Sequence, residues 1–164
     1  MTKQRRVAAR GIIFRDGKLL VAKHKEDDGT EAPHWGTFGG GVDPEESLHD
    51  AIYREMIEET GIAPKVGRLL FIQQYSGAEM EHLQFFFHIE NAEDYEAIDL
   101  TATTHGIEEL SRIEFVDPKT SFIKPSLLQE IDIEAHINGT QPVYLHDELG
   151  QPFYSAKEQE TYGV

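Results

Sequence analysis

Apolar residues alternate with polar ones along several short stretches of this sequence, which is the pattern of half-buried strands. The first two stretches, residues 7–14 and 19–24, flank an Arg-Asp-Gly-Lys turn signal and together predict a hairpin. The other predicted strands are residues 66–74, 82–90 and 112–116, with residues 143–145 and 151–154 as a terminal hairpin.

One helix has well-marked ends in the sequence. Residues 48–60 follow Ser47, which can cap the first turn with Asp50 at the reciprocal position, and Gly61 stands where the helix should stop. A second helix is predicted over residues 124–136, after two proline breakers. Strands, a helix, more strands and a helix in this order predict an α+β or mixed α/β fold.

The composition fits a single acidic domain. The chain has 164 residues and a formal charge of −15, which disfavours polymeric nucleic acid and anionic membranes as partners. Residues 1–42 contain eight Lys or Arg against five Asp or Glu, and the remaining 122 residues contain seven against twenty-five. The cations of the first segment could therefore hold a small anion, especially where a metal screens the carboxylates.

The absence of cysteine removes several kinds of site. No disulfide scaffold, thiolate zinc site or cysteine nucleophile is possible in this sequence. A cysteine-free chain suits the cytoplasm, and no apolar run is long enough to predict a membrane span. The oligomeric state stays open, a homodimer included.

The predicted helix at residues 48–60 concentrates acidic side chains on one face. Glu55, Glu58 and Glu59 are spaced i, i+3 and i+4, so they lie within about 100° of one another on the helical wheel. Like charges at these spacings destabilise a helix, and at its C-terminal end they also face the negative pole of the helix dipole. Arg54 supplies one compensating charge, and a divalent cation would supply more.

The surrounding residues give this acidic helix a known context. Gly40, Glu46, Arg54-Glu55, Glu58-Glu59 and Gly61, with apolar Met56 and Ile62, are in register with the Nudix box. The chain therefore resembles the Nudix hydrolases. The resemblance implies an α/β/α sandwich around a mixed central sheet, with the Nudix domain in residues 1–140 and residues 141–164 as a C-terminal extension of the same domain.

The resemblance also implies a metal site and a reaction. Glu55, Glu58, Glu59 and the backbone carbonyl of Gly39 would bind Mg²⁺ or Mn²⁺, which suits the preference of hard cations for oxygen ligands. The reaction would be hydrolysis of a phosphoanhydride in a nucleoside diphosphate linked to another moiety, such as a nucleoside triphosphate or a nucleotide sugar. The sequence markers of the NADH and ADP-ribose branches are absent. The alternative is a nucleotide-sensing module of the same fold without turnover.

Supporting roles follow for the remaining catalytic candidates. Arg54 would orient the glutamates, and Glu46 would tie the glycine loop to the helix. The general base could be Glu58 or Glu59, or a carboxylate of a later loop, where Glu108 and Glu109 are either candidates or exposed acids.

Substrate contacts are predicted from two strands. In residues 82–89, alternation places Leu83 and Phe87 towards the core and Gln84 and Phe86 on the other face, which either lines a cleft or is solvated. In a cleft, Phe86 would stack on a base and Gln84 would read its edge. Lys23 and Arg10 would contact phosphates if their side chains do not simply face solvent.

Overall fold

The structure is a computed structural model that describes residues 2–164. Over these residues the strands are β1 (Gln4–Ile12), β2 (Phe14–Arg15), β3 (Lys18–His24), β4 (Phe38–Gly41), β5 (Val66–Ser76), β6 (Met80–Ile89), β7 (Leu110–Val116) and β8 (Tyr144–Glu148). The α-helices are α1 (Leu48–Thr60), α2 (Gly106–Glu109), α3 (Leu127–Glu130), α4 (Ile133–Ile137) and α5 (Ala156–Tyr162). Within residues 2–164, every helix is too short or too polar to cross a bilayer.

Two sheets organise the fold. The larger has the strand order β4-β1-β6-β5-β8, in which β1 pairs with β6, and β5 with β8, in parallel, and the other pairs are antiparallel. The smaller is the antiparallel sheet β2-β3-β7. The predicted mixed α/β fold with a mixed sheet is confirmed. The predicted first hairpin is right only at its tip, because β2 pairs with β3 whereas β1 belongs to the larger sheet.

Apolar side chains form a core on both sides of these strands. One cluster joins α1 to the first face and includes Met56 and Phe87, whereas the other includes Phe86 and packs against α3 and α4. Neighbouring residues of one strand thus enter opposite cores, as the period-2 geometry of a strand requires. Both faces of β6 are covered, which is the layered arrangement expected of a sandwich.

Helix α1 begins and ends as the sequence predicts. The Ser47 hydroxyl accepts a 3.0 Å hydrogen bond from the backbone N–H of Asp50. At the other end, Gly61 adopts the left-handed conformation at φ 74° and its N–H donates to the carbonyl of Ile57. Ala51, Ile52 and Met56 are buried, and the helix packs on β1 and β4. This packing directs the acidic residues of the helix towards the glycines of β4.

The C-terminal third differs from the predictions. The single helix expected over residues 124–136 is two short helices, because Ile131 is extended and the carboxylate of Asp132 caps a new helix by accepting from the Ala135 N–H at 3.0 Å. The predicted terminal hairpin is wrong. Strand β8 pairs in parallel with β5, and a capping box at Ser155 and Glu158 starts α5 instead of a returning strand.

Candidate functional site

A cavity of about 380 Å³ opens where α1, the larger sheet and the C-terminal segment meet. We call one side the acidic wall, formed by Glu55, Glu59 and Glu109. We call the polar side chains that cross the sheet at its floor the carboxamide row, which consists of Arg10, Gln84, Gln73 and Glu148. The cavity therefore brings carboxylates together with cations and amides drawn from the whole length of the chain.

Two glycines of β4 make room for the carboxylates. Gly39 has φ +119°, a conformation that L side chains rarely adopt, and a Cβ there would collide with the carbonyl of Ala9. A Cβ at Gly40 would lie 2.6 Å from Oε1 of Glu55. The Gly39 N–H donates to Oε2 of Glu59 at 2.8 Å. The glycine-rich run is thus needed because helix carboxylates lie directly against its backbone.

Arg54 connects the glycine loop to the helix. Its guanidinium donates through Nε and Nη2 to the two oxygens of Glu46 at 2.8 and 3.0 Å, and through Nη2 to the Gly41 carbonyl at 3.0 Å. Its Nη1 donates to Glu55 at 3.0 Å and to Glu58 at 3.2 Å. Glu46 also accepts from the Asp43 N–H at 2.9 Å. These contacts are consistent with the orienting and tying roles expected of Arg54 and Glu46.

His105 contacts Glu58, and sequence reasoning missed it. Its Nδ1 lies 3.2 Å from Oε2 of Glu58, and its backbone N–H donates to the Glu58 carbonyl at 3.0 Å. The loop before α2 is thereby attached to the end of α1. No residue spacing points to this contact, since 47 positions separate the two residues.

Burial shifts the protonation of the acidic wall. Glu59 is 1% exposed, and removal from water raises its pKa to about 8 against the opposing effects of the Gly39 N–H and Arg10. Burial likewise raises the pKa of Glu55, although the Arg54 guanidinium opposes this. Burial therefore outweighs the protein partners that favour the ionised form of these two carboxyl groups.

The donor set fits a hard divalent cation. Glu55, Glu58, Glu59 and the Gly39 carbonyl supply only oxygen, the ligand atom that Mg²⁺ and Mn²⁺ prefer. A bound cation would offset the burial that raises the pKa of Glu55 and Glu59. Within residues 2–164, no three acidic or histidine side chains already converge as a metal cage, because Glu58 and Glu55 point to Arg54. The Gly39 carbonyl accepts from Nη1 of Arg10 at 2.8 Å.

Lys23, which the sequence predicts as a phosphate contact, is not among the cationic side chains that line the cavity. Lys23 is 7% exposed and donates to the carbonyls of Ala32 and Pro33 at 3.1 and 2.6 Å, so the prediction that it contacts phosphates is not supported. Arg6 and Arg10 line the cavity instead. Burial lowers the pKa of Arg10.

The carboxamide row is a continuous hydrogen-bonded chain. Arg10 Nε donates to Oε1 of Gln84 at 2.9 Å, Gln84 donates to Gln73 at 2.9 Å, and Gln73 donates to Oε2 of Glu148 at 2.7 Å. Nε2 of His146 lies 3.0 Å from the other Glu148 oxygen without the alignment of a hydrogen bond. The row places Gln84 at the cavity, as predicted for this residue.

The predicted stacking role of Phe86 is wrong. Its ring is 0% exposed and packs against Phe71 in the second core cluster, with ring centroids 6.3 Å apart. The alternation along β6 correctly separates Phe86 from Phe87, but α3 and α4 cover the face that was expected to be open. The aromatic rings that do line the cavity include Tyr75 of β5 and Phe153 of the C-terminal segment.

Of the two loop acids, Glu109 lines the cavity and Glu108 does not. Both are exposed residues at the short helix α2. Two half-buried histidines, His24 and His34, also line the cavity. Burial lowers the pKa of each to about 4, so both are neutral near pH 7.

Comparisons with known proteins agree with this geometry. ADP-ribose pyrophosphatase of Methanocaldococcus jannaschii is 43% identical over 67 residues, which are 39% of this chain and 37% of that protein. CTP pyrophosphohydrolase of Escherichia coli is 41% identical over 63 residues, which are 38% of this chain and 46% of that protein. The matched segments thus span less than half the length of either relative.

Solved structures share the fold. The solution structure of the E. coli ORF135 protein has a TM-score of 0.64 at 23% identity and covers 85% of this chain and 95% of its own. The crystal structure of a MutT protein from Methanosarcina mazei Go1 has a TM-score of 0.65 at 20% identity, over 87% and 99% of the two chains. A sequence model of the NUDIX domain matches residues 4–131. The chain therefore belongs to the Nudix family, as its box of glycines, glutamates and arginine indicates.

Proposed function

We propose that this protein is a divalent-metal-dependent hydrolase of a phosphoanhydride bond in a nucleoside diphosphate linked to another moiety. The observation that carries the proposal is the cavity itself, in which Glu55, Glu59 and Glu109 lie with Arg6 and Arg10. A substrate diphosphate needs cationic partners for its charge, and its hydrolysis needs carboxylates that hold a metal and accept a proton. The names of the two curated relatives, pyrophosphohydrolases of ADP-ribose and CTP, support the same reaction.

The proposal gives distinct roles to residues that line the cavity and to residues beside it. Glu55, Glu58 and Glu59, with the Gly39 carbonyl, would hold Mg²⁺ or Mn²⁺, which supplies charge neutralisation and activation of water when bound. Arg54 keeps these carboxylates aimed at the glycine loop and fixes Glu46. Arg6 would contact the phosphate oxygens, since within residues 2–164 it forms no salt bridge.

Glu109 is the proposed general base among the loop acids. It lines the cavity together with the helix glutamates Glu55 and Glu59, whereas Glu108, its neighbour in sequence, does not line it. A base must reach the attacking water, and position in the cavity is therefore the first requirement. The water loses its proton to the carboxylate as its oxygen bonds to phosphorus, and the bridging oxygen leaves with the other phosphate.

The test is a turnover assay of the purified protein. Nucleoside triphosphates, ADP-ribose and nucleotide sugars are each incubated in ¹⁸O-labelled water with Mg²⁺, Mn²⁺ or excess EDTA. The products are then separated and their masses measured by mass spectrometry. We expect a nucleoside monophosphate product only when a divalent cation is present. Undiminished turnover in EDTA, or tight nucleotide binding without any product, contradicts the proposal, and the second result favours the nucleotide-sensing alternative.

The base assignment has a matched pair of variants. Glu109→Gln should lower kcat about a hundredfold or more, as loss of a general base does. Glu108→Gln removes the same charge one residue away and should leave kcat unchanged. Equal effects of the two variants would assign the base to Glu58 or Glu59 instead.

A further inference from the structure

The carboxamide row has only one possible orientation, which the chemistry of its ends imposes. Arg10 can only donate hydrogen bonds, so the Gln84 oxygen must face it and the Gln84 amide N–H must face Gln73. The same logic turns the Gln73 N–H towards Glu148, whose carboxylate accepts. The row therefore runs from a donor-only end to an acceptor-only end, and neither amide can flip without breaking two contacts.

This row extends away from the acidic wall across the sheet. Its members lie on one face of β1, β6, β5 and β8, because Gln84 pairs with Gln73 and Gln73 pairs with His146, two residues before Glu148. Three steps between strands at about 4.8 Å separate the backbones of Arg10 and Glu148 by about 14 Å across the sheet. Glu148 also lies four residues along β8 from Tyr144, which is in line with Arg10 through Phe86 and Phe71. A nucleotide whose phosphates lie at Arg10 and the acidic wall would have its base near Glu148.

The far end of the cavity comes from residues that the NUDIX domain match does not include. The match ends at residue 131, whereas Glu148 and Phe153 both line the cavity. Lys124 fixes this segment, because its ammonium donates to the Phe153 carbonyl at 2.6 Å, to Glu158 at 2.8 Å and to Ser126 at 2.9 Å. All three of its N–H groups are used, so Lys124 holds the segment and is not free for a phosphate.

Phe153 and Glu148 present different chemistry to a ligand. The Phe153 ring is 41% exposed and lies 5.8 Å from the ring of Tyr75, between centroids. An aromatic ring stacks on any base. The carboxylate of Glu148 has lone pairs beyond the bond from Gln73 and the 3.0 Å contact with His146 Nε2, and it can accept hydrogen bonds but not donate them.

We infer, on the basis of the proposed function, that Glu148 selects substrates whose base has an exocyclic amino group. Cytosine N4 and adenine N6 offer such a donor at corresponding positions of the base edge, as in the pairing of a Glu side chain with cytosine N4. Uracil and thymine have a carbonyl oxygen at that position, which repels a carboxylate. Because Gln73 fixes the Glu148 carboxylate, it cannot turn away to relieve the repulsion.

The experiment compares CTP with UTP, which differ at this one position of the base edge. We expect the wild-type kcat/KM to favour CTP at least about tenfold, the range of one good side-chain contact to a base edge. In Glu148→Gln, the new carbonyl must accept from Gln73 and the new N–H₂ faces the cavity. The CTP-to-UTP ratio should fall about tenfold or more, mainly through KM, with kcat for CTP little changed.

Two other variants separate base selection from general effects. Asp147→Asn removes the same charge from the exposed neighbouring residue of β8 and should leave the ratio unchanged. Phe153→Leu should raise KM for both nucleotides alike, because stacking does not distinguish them. An unchanged ratio in Glu148→Gln, or a wild-type ratio near one, overturns the inference.

A binding measurement keeps this test separate from that of the proposed function. Kd values for CMP and UMP, measured by calorimetry on the wild type and on Glu148→Gln, report base preference even if no substrate is hydrolysed. A preference for CMP that Glu148→Gln removes supports the inference whatever the outcome for turnover. Equal Kd values for CMP and UMP in the wild type refute it.

Discussion

The two ends of the cavity satisfy their polar groups in opposite ways. In the acidic helix, Glu55 and Glu58 share the single cation Arg54 with Glu46, and the buried Glu59 accepts one backbone N–H. In the carboxamide row, Arg10 stands at one end, Glu148 at the other and two amides lie between them. Each of the three hydrogen bonds joins an N–H donor to an oxygen acceptor.

The difference separates two kinds of site. An end with uncompensated carboxylates is complete only with an added cation, and so it suits chemistry that a metal supports. An end whose charges balance needs no added ion, and its fixed orientation suits discrimination between ligands. Four experiments test this division, from the largest expected change in free energy to the smallest.

The largest effect is expected at the acidic wall. Glu59→Gln should lower kcat by ~10² or more, about 2.7 kcal/mol of activation free energy, because a metal ligand or base is lost. Glu58→Gln should act similarly. Thermal unfolding without metal should show little loss of stability in Glu59→Gln, since the change replaces a carboxyl group whose ionised form burial disfavours. Wild-type turnover in both variants would show that the two ends do not differ in this way.

Arg54 is expected to matter more for stability than any residue of the row. Arg54→Met leaves Glu46, Glu55 and Glu58 without their cation and should lower the free energy of unfolding by about 2–3 kcal/mol, below the value for fully buried pairs because the Arg54 side chain is 31% exposed. Chemical denaturation measures this loss. A double-mutant cycle with Glu46→Gln should recover part of it, and strictly additive effects would contradict the network.

The pH dependence of stability shows whether the half-buried His24 beside the cavity is neutral in the folded protein. Burial lowers its pKa to about 4, whereas the unfolded histidine binds a proton below pH 6.5, so folding loses stability as the pH falls through this window. At pH 5 the loss is about 2 kcal/mol. His24→Gln has no imidazole to protonate. The difference in free energy of unfolding between wild type and variant should therefore change by about 2 kcal/mol between pH 7.5 and pH 5. A difference independent of pH would mean that His24 is solvated.

The smallest effect is metal-linked stabilisation. With a Kd of about 1 mM, 10 mM Mg²⁺ should stabilise the wild type by ~1.4 kcal/mol and raise Tm. The increase should vanish in Glu59→Gln and persist in Glu148→Gln, which lies in the balanced row. If the Mg²⁺-dependent rise in Tm were lost in both variants, the acidic wall and the carboxamide row would act as a single site.

The acidic helix could be predicted from sequence because its determinants are local. Ser47, Gly61 and the three glutamates act within one helix, so residue spacing alone gives their geometry. Phe86 could not be placed, because alternation identifies two faces but not whether a layer from elsewhere covers both. The prediction for Lys23 was wrong for a related reason. The carbonyls of Ala32 and Pro33 that bind it belong to a loop whose sequence has no periodicity.

The carboxamide row was out of reach of the sequence. Its contacts depend on the pairing of β1 with β6 and of β5 with β8, and no local signal encodes these registers. Gln84 alone could be placed, through alternation in its own strand. The terminal hairpin failed for the same reason, because the partner of β8 lies 73 residues earlier, where Phe71 pairs with Tyr144. The role of the C-terminal segment at the cavity follows from that pairing.

The central ladder of the larger sheet also constrains how the chain folds. Strand β1 pairs with β6 across 76 positions, from Gln4 to Met80, and a long-range parallel pairing of this kind slows folding. On the ribosome, at about 5–20 residues per second, β1 waits about 4–15 s for its partner. During this interval β4 and α1 are the elements able to cover its buried residues, such as Ala9. The segment that carries the glycine loop and the glutamates thus also shields the first strand during synthesis.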